Sequence, residues 1–215
     1  ERDSGLAEGE PGGDSGHSYP FVPGSAFSGV VVKAGKRARN VRKGARVIGV
    51  THPEFGISGV ENSPAAGAYS DYVVVQSGDF GVLPPNVSLL QGALVEHLSL
   101  CHSAISQLSA DSGKRACVIG AGALGNLCSQ LLRSRGLKVT IVDGDTKKLA
   151  LLHKYDVDTL TKLDGLDDFD YIFDAGGDVE NLKTINENAG SQAKVIHVGI
   201  SGPAGHSNER HKRDW

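Results

Sequence analysis

Short β-branched runs separated by turn residues fill the first part of the chain: Gly29-Val30-Val31-Val32, Arg46-Val47-Ile48-Gly49-Val50 and Tyr72-Val73-Val74-Val75. Each is bounded by Gly, Asn or Pro, the punctuation expected of strands in a β-rich unit. Pro84-Pro85 closes this region. Ser88-Leu89-Leu90-Gln91 then matches a capping box, in which the hydroxyl and the amide satisfy orphan backbone donors at a helix start. Leu94, Leu98, Cys101 and Ile105 follow at helical spacing, so a single helix is expected to run on from the box.

From Arg115 the pattern changes to strand–helix alternation. Apolar runs predict strands over 116–119, 138–142, 171–173 and 195–198, with helices over 123–135, 147–155 and 179–188 between them. Such alternation predicts a parallel sheet with helices on both faces, hence an α/β chain. Two units follow from the change of pattern, one over 1–110 and one over 111–215. The first ~20 residues are rich in Gly, Ser and Asp and read as loop. No internal repeat is visible.

Composition changes this picture in a few respects. No apolar run approaches the ~18 residues needed to span a membrane, and Glu1-Arg2-Asp3-Ser4 lacks the features of a signal peptide. The net charge of −3 gives no general attraction for nucleic acid or anionic lipid. The basic stretch from Lys33 to Gly44 has no interleaved aromatic residues, so it reads as a solvated turn between strands. Cys101, Cys117 and Cys128 make no CxxC pair and no disulfide framework, which fits a reduced, cytoplasmic setting. Glycine is abundant, at 29 of 215 residues, as a chain full of tight turns requires. Methionine is absent, even at position 1, which suggests a piece of a longer chain.

The chemistry is carried by Gly120-Ala121-Gly122-Ala123-Leu124-Gly125, a G-x-G-x-x-G string that follows an apolar strand and opens a helix. In that context Gly120 permits the tight turn, Gly122 lets backbone approach a pyrophosphate, and Gly125 allows close packing of helix on strand. The anion then sits over a helix N-terminus, where free N–H groups and the dipole favour it. Asp143 ends the next strand, 18 residues past Gly125. A carboxylate there bonds both ribose hydroxyls of the adenosine half and repels a 2′-phosphate, so NAD is expected rather than NADP. Asp143 is also a candidate N-cap for the following helix, as is Asp145.

At this point the whole layout resembles the medium-chain alcohol and polyol dehydrogenases. Tyr19-Pro20-Phe21-Val22-Pro23-Gly24, Gly29-Val30-Val31-Val32, Lys43-Gly44-Ala45-Arg46-Val47, Gly67-Ala68-Tyr69-Ser70-Asp71-Tyr72-Val73 and Leu83-Pro84 occur in that family's order. Gly120 to Gly125, Asp143 and Val198-Gly199 continue the match through the second unit. The resemblance implies a GroES-like β domain followed by a Rossmann doubly wound parallel sheet, with the cofactor in the cleft between them. It implies further strands before Glu1 and a closing segment after Gly202. It places Lys148 near the adenosine ribose, Ala175 and Gly176 along the cofactor groove, and Gly199 and Ile200 near the nicotinamide amide. A small-molecule substrate is implied, and a homo-oligomer is compatible with it.

The departures concern metal. Zinc-dependent members carry His and Glu directly after the glycine matched by Gly24; here those positions hold Ser25 and Ala26. A hydroxymethyl group is a poor zinc ligand. The family's catalytic Cys falls at or before Glu1, and the structural-zinc cysteines are missing between Thr51 and Ala66. Glu96 matches the position where polyol-type members place a carboxylate near the metal; its other reading is a solvated helix carboxylate. His97 and His102 lie five apart and do not share a helix face as paired ligands would. No metal is therefore expected. Ser25 and Glu96 remain as the catalytic candidates of an NAD-dependent oxidoreductase acting on a small alcohol, polyol or carbonyl compound. The alternative is a dehydrogenase-like nucleotide-binding protein that has lost catalysis.

Overall fold

Alternate residues of the central strands face opposite ways, and both directions are apolar; that is why the second unit is a layered parallel sheet. The structure, a computed structural model, describes residues 22, 24–36, 38, 41–51, 67–76, 78–108 and 112–198. The chain divides into two compact units, Glu1–Glu96 and His97–Trp215.

The first unit holds an antiparallel three-stranded sheet of β1 (Ala26–Val30), β2 (Arg46–Val50) and β3 (Phe80–Val82), in that order. Helix α1 (Leu89–Gly92) begins at the expected capping box: Gln91 N–H donates to Ser88 Oγ, and Ser88 N–H to Gln91 Oε1. It docks on the sheet through Gly92, where a Cβ would lie 2.8 Å from Ile48 and 3.1 Å from Ser28. Only hydrogen fits there.

Two expectations need correction in this unit. The helix does not continue from the box: it breaks at Ala93-Leu94 and resumes as α2 (Val95–Ser106). Leu94 and Leu98 stay partly exposed, whereas Cys101 and Ile105 are fully buried. Tyr72 to Val75 is not a strand: Tyr72 and Val74 are exposed, and a strand without a ladder partner has no backbone bonds to hold it. The third strand is instead β3, a three-residue run too short to stand out. Within the basic stretch Lys33, Lys36, Arg42 and Lys43 are exposed, as expected of a solvated turn.

In the second unit β4 (Arg115–Ile119), β5 (Lys138–Val142), β6 (Asp158–Leu160), β7 (Tyr171–Asp174) and β8 (Lys194–His197) form a parallel sheet in the order β6-β5-β4-β7-β8. Helices α3 (Ala123–Ser134), α4 (Thr146–Ala150) and α5 (Val179–Asn188) connect them, with 3₁₀ turns at His153–Tyr155 and Leu166–Asp168. One core face gathers Ala116, Val118, Ile141 and Phe173 under Cys128 and Leu132 of α3. The other gathers Cys117, Ile119 and Ile172 with Ile185 of α5. Cys101 and Ile105 of α2 belong to the first of these cores, on the second unit's side of the division between Glu96 and His97. No described helix is long and apolar enough to cross a membrane.

Candidate functional site

The glycine string lies at the carboxyl end of β4, between β5 and β7, where strand order reverses and open α/β sheets bind ligands. Gly120 has φ +96°, and a Cβ on it would come within 3.0 Å of Gly176 N and 3.1 Å of its Cα. Both the turn and the neighbour demand glycine. Gly125 sits in the first turn of α3 with its would-be Cβ only 1.8 Å from the Gly120 carbonyl oxygen, so the helix closes directly beneath the loop. Gly122 is the N-cap of α3 and supplies no capping side chain; a Cβ there would meet nothing within 4 Å. The first turn therefore presents its N–H groups beside open space, as an anion cradle requires.

Asp143 is tied into this loop more closely than its sequence position suggests. Its Oδ2 accepts from Ala121 N–H and its Oδ1 from Asp145 N–H, both at 2.8 Å, and Lys148 Nζ lies 3.9 Å from Oδ2. Asp145, not Asp143, caps α4, accepting from Lys147 N–H at 2.8 Å. A carboxylate offers about four acceptor sites, so Asp143 keeps capacity for further donors. Ala175 packs at the rim of the first core, and Gly176 is exposed beside Gly120. Gly199 and Ile200 lie outside the described residues.

Sequence reasoning missed Asp174 and His197. Asp174 ends β7 and is buried, and its Oδ1 accepts from Gly176 and Gly177 N–H, each at 3.1 Å. His197, opposite it in register on β8, brings Nδ1 to 3.3 Å from Asp174 Oδ2. The available signal was a charged residue ending an apolar strand just before Gly176-Gly177.

In the first unit Ser25 and Glu96 come together although 71 residues apart: Ser25 Oγ donates to Glu96 Oε2 at 2.9 Å. Thr51 fixes the Ser25 backbone, its N–H donating to Ser25 O at 2.6 Å and its hydroxyl to Gly24 O at 2.8 Å. His97 Nδ1 is buried without a hydrogen-bond partner among the described residues, and His102 faces Ser106. Among the described residues no three His, Cys, Asp or Glu side chains converge, and the Ser25 hydroxyl, a poor zinc ligand, engages the Glu96 carboxylate. The thiols are all in the second unit's core. Burial pushes Cys117 up to about 12, and a hydrogen bond with Cys101, with burial, raises Cys128, so neither is poised as a nucleophile.

Comparison with known proteins agrees with this arrangement. Residues 2–85 match the alcohol dehydrogenase GroES-like domain. The chain is 24% identical over 216 residues to 2-dehydro-3-deoxy-L-galactonate 5-dehydrogenase of Pseudoalteromonas atlantica, covering 87% of this chain and 62% of that protein. It is 27% identical over 195 residues to 2-methylene-furan-3-one reductase of Solanum lycopersicum, covering 86% and 49% respectively. The chain thus spans about half to three fifths of the length of these relatives. A crystal structure from Sinorhizobium meliloti, described as a zinc-binding dehydrogenase bound to NADP, superposes with a TM-score of 0.77 at 22% identity, over 95% of this chain and 67% of that one.

Proposed function

We propose that the chain is a member of the medium-chain alcohol and polyol dehydrogenase superfamily that binds a nicotinamide dinucleotide for oxidation or reduction of a small alcohol, polyol or carbonyl compound, without catalytic zinc. The observation that carries the reading is Gly122, whose bare backbone caps α3 beside open space while Asp143 holds the adjoining Ala121 N–H.

The residues fit such a cofactor. The N–H groups of Gly122, Ala123, Leu124 and Gly125, at the start of α3, would hold the pyrophosphate, while Gly120 and Ala121 shape the loop and donate their own N–H groups to Val142 O and Asp143 Oδ2. Asp143 would take the adenosine ribose with Lys148 beside it, and Ala175 and Gly176 would wall the groove. Family resemblance would place Gly199 and Ile200 at the nicotinamide amide. When bound, the nicotinamide ring supplies the hydride acceptor or donor. Ser25 Oγ, donating to Glu96 Oε2 at 2.9 Å, is placed to pass its proton to that carboxylate and would take one in turn from a substrate hydroxyl. General acid–base transfer of this kind contributes about 10²–10⁴-fold in rate.

We assign NAD(H) in preference to NADP(H) because the Asp143 carboxylate opposes a 2′-phosphate. Lys148, 3.9 Å from that carboxylate, tempers the preference. Fluorescence titration with NADH and NADPH tests the assignment: tighter NADH binding is expected, and equal or tighter NADPH binding overturns it. Loss of catalysis is the second reading, favoured by the serine in place of a ligand histidine. NADH binding without turnover of any alcohol, polyol, aldehyde or enone selects it. The three unpaired thiols support a reducing, cytoplasmic setting.

A further inference from the structure

We propose that Asp174 is a positioning residue for the dinucleotide site, acting on the glycine loop through the turn after β7, and that His197 holds its carboxylate in place. The inference rests on the cofactor reading above and adds to it residues outside the glycine string.

Asp174 is 1% exposed. A carboxylate in such a place is costly unless its oxygens are engaged, and here each is. Oδ1 accepts from both Gly176 N–H and Gly177 N–H, and Oδ2 faces the His197 imidazole. The backbone is pinned as well: Ala175 N–H donates to Ile119 O at 2.9 Å, and Val198 N–H to Asp174 O at 2.8 Å. The 175–177 turn therefore has one conformation that satisfies the carboxylate.

That turn is in contact with the loop. Gly176 backs Gly120 so tightly that a Cβ on Gly120 would reach within 3.0 Å of its nitrogen. Ala175 Cβ lies 3.4 Å from where a Cβ on Gly125 would be. A shift of the turn by a few tenths of an ångström is transmitted to both ends of the glycine string. Asp143 grips the same loop from β5, through Ala121 N–H. The loop is thus held from both sides, by carboxylates at the ends of the two strands that flank β4. Packing alone does not call for Asp174, since an apolar residue of similar volume in a buried position is often neutral or stabilising.

The test uses Asp174→Ala, His197→Ala and His197→Asn, the last placing an amide donor where Nδ1 stands. NADH affinity is measured by fluorescence at a temperature where thermal melts show each variant fully folded. Asp174→Ala is expected to weaken NADH by about 10–100-fold, the scale on which loss of a supporting contact acts on a site. His197→Ala should lose part of that, and His197→Asn should recover it. A destabilised but otherwise neutral scaffold lowers the melting midpoint and leaves the affinity of the folded protein alone, so unchanged NADH affinity in Asp174→Ala overturns the proposal. Should Asp174→Ala fail to fold, the half-exposed His197 pair decides: equal affinity in all three proteins, or no recovery by Asn, overturns it. Unaltered protein that binds neither NADH nor NADPH overturns the cofactor reading itself.

Discussion

Gly122 and Gly125 stand three residues apart in one motif, and the structure gives them opposite tasks. A side chain at Gly122 enters open space, so Gly122→Val is expected to abolish NADH binding while moving the melting midpoint by no more than about 2–4 °C, the equivalent of ~1 kcal/mol in a chain of this size. A methyl at Gly125 collides with the Gly120 carbonyl, so Gly125→Ala should cost about 1–3 kcal/mol through overpacking and lower the midpoint with the affinity. A Gly122→Val protein that binds NADH normally would show that this loop is not the phosphate cradle. Asp143→Ala removes a ribose partner and also releases Ala121 and Asp145 N–H. Both cofactors should therefore weaken, NADH more than NADPH, in paired titrations; an equal loss would reduce Asp143 to a loop fastener. The glycine string was legible because its logic is local: strand, turn, helix. Asp174 and His197 were not, because the two are 23 residues apart and only strand register brings them together.

Elements whose hydrophobic period is decided within one segment were read to within a residue or two, as β4, β5 and α5 were. The failures share a cause. Tyr72 to Val75 has strand composition, but composition does not supply a neighbour to pair with. Helix α1 stops at Gly92, one residue past its box, where that glycine packs onto the sheet, a tertiary demand invisible in the leucine spacing. Strand β6, with three residues at the sheet edge, carries too little pattern to detect. Junctions between elements depend on similar non-local ties, and Asp170 is the clearest. It precedes β7 and accepts from Lys114 Nζ at 2.8 Å and Arg115 N–H at 2.9 Å, joining the starts of β4 and β7. The Lys114 hydrogen bond, followed by that from the Arg115 backbone, holds its carboxyl below the usual range. A group depressed on folding stabilises above its unfolded value, ~3.9, and loses that contribution as pH falls through the lower folded value. Asp170→Asn should therefore melt lower than the parent from pH 7 to about 5, and the gap should close below about pH 4. A gap that persists undiminished in acid would assign the effect to packing.

For the whole molecule, the division of labour between the two units bears on metal. The second unit offers a glycine loop and a neighbouring turn held by carboxylates, and its three cysteines are buried in the core. The first unit brings Ser25 and Glu96 together, the two positions that family resemblance assigns to metal chemistry, with a hydroxyl in place of the imidazole. Catalytic zinc is ordinarily held by three protein ligands with a fourth position open. Exchange of one strong donor for a hydroxyl should cost at least the ~10–100-fold that changes outside the ligand set already cause. His97 is the nearest replacement in sequence, but successive helix residues point about 100° apart, so it does not share Glu96's direction. Protein purified without added zinc is therefore expected to carry far less than one equivalent, and its turnover, where present, to survive chelation. Ser25→Ala and Glu96→Gln should each depress kcat while NADH affinity is retained, because the glycine loop proposed to bind the cofactor belongs to the other unit. One firmly held zinc per chain, with activity lost to a chelator and restored by the metal, would overturn the zinc-free reading.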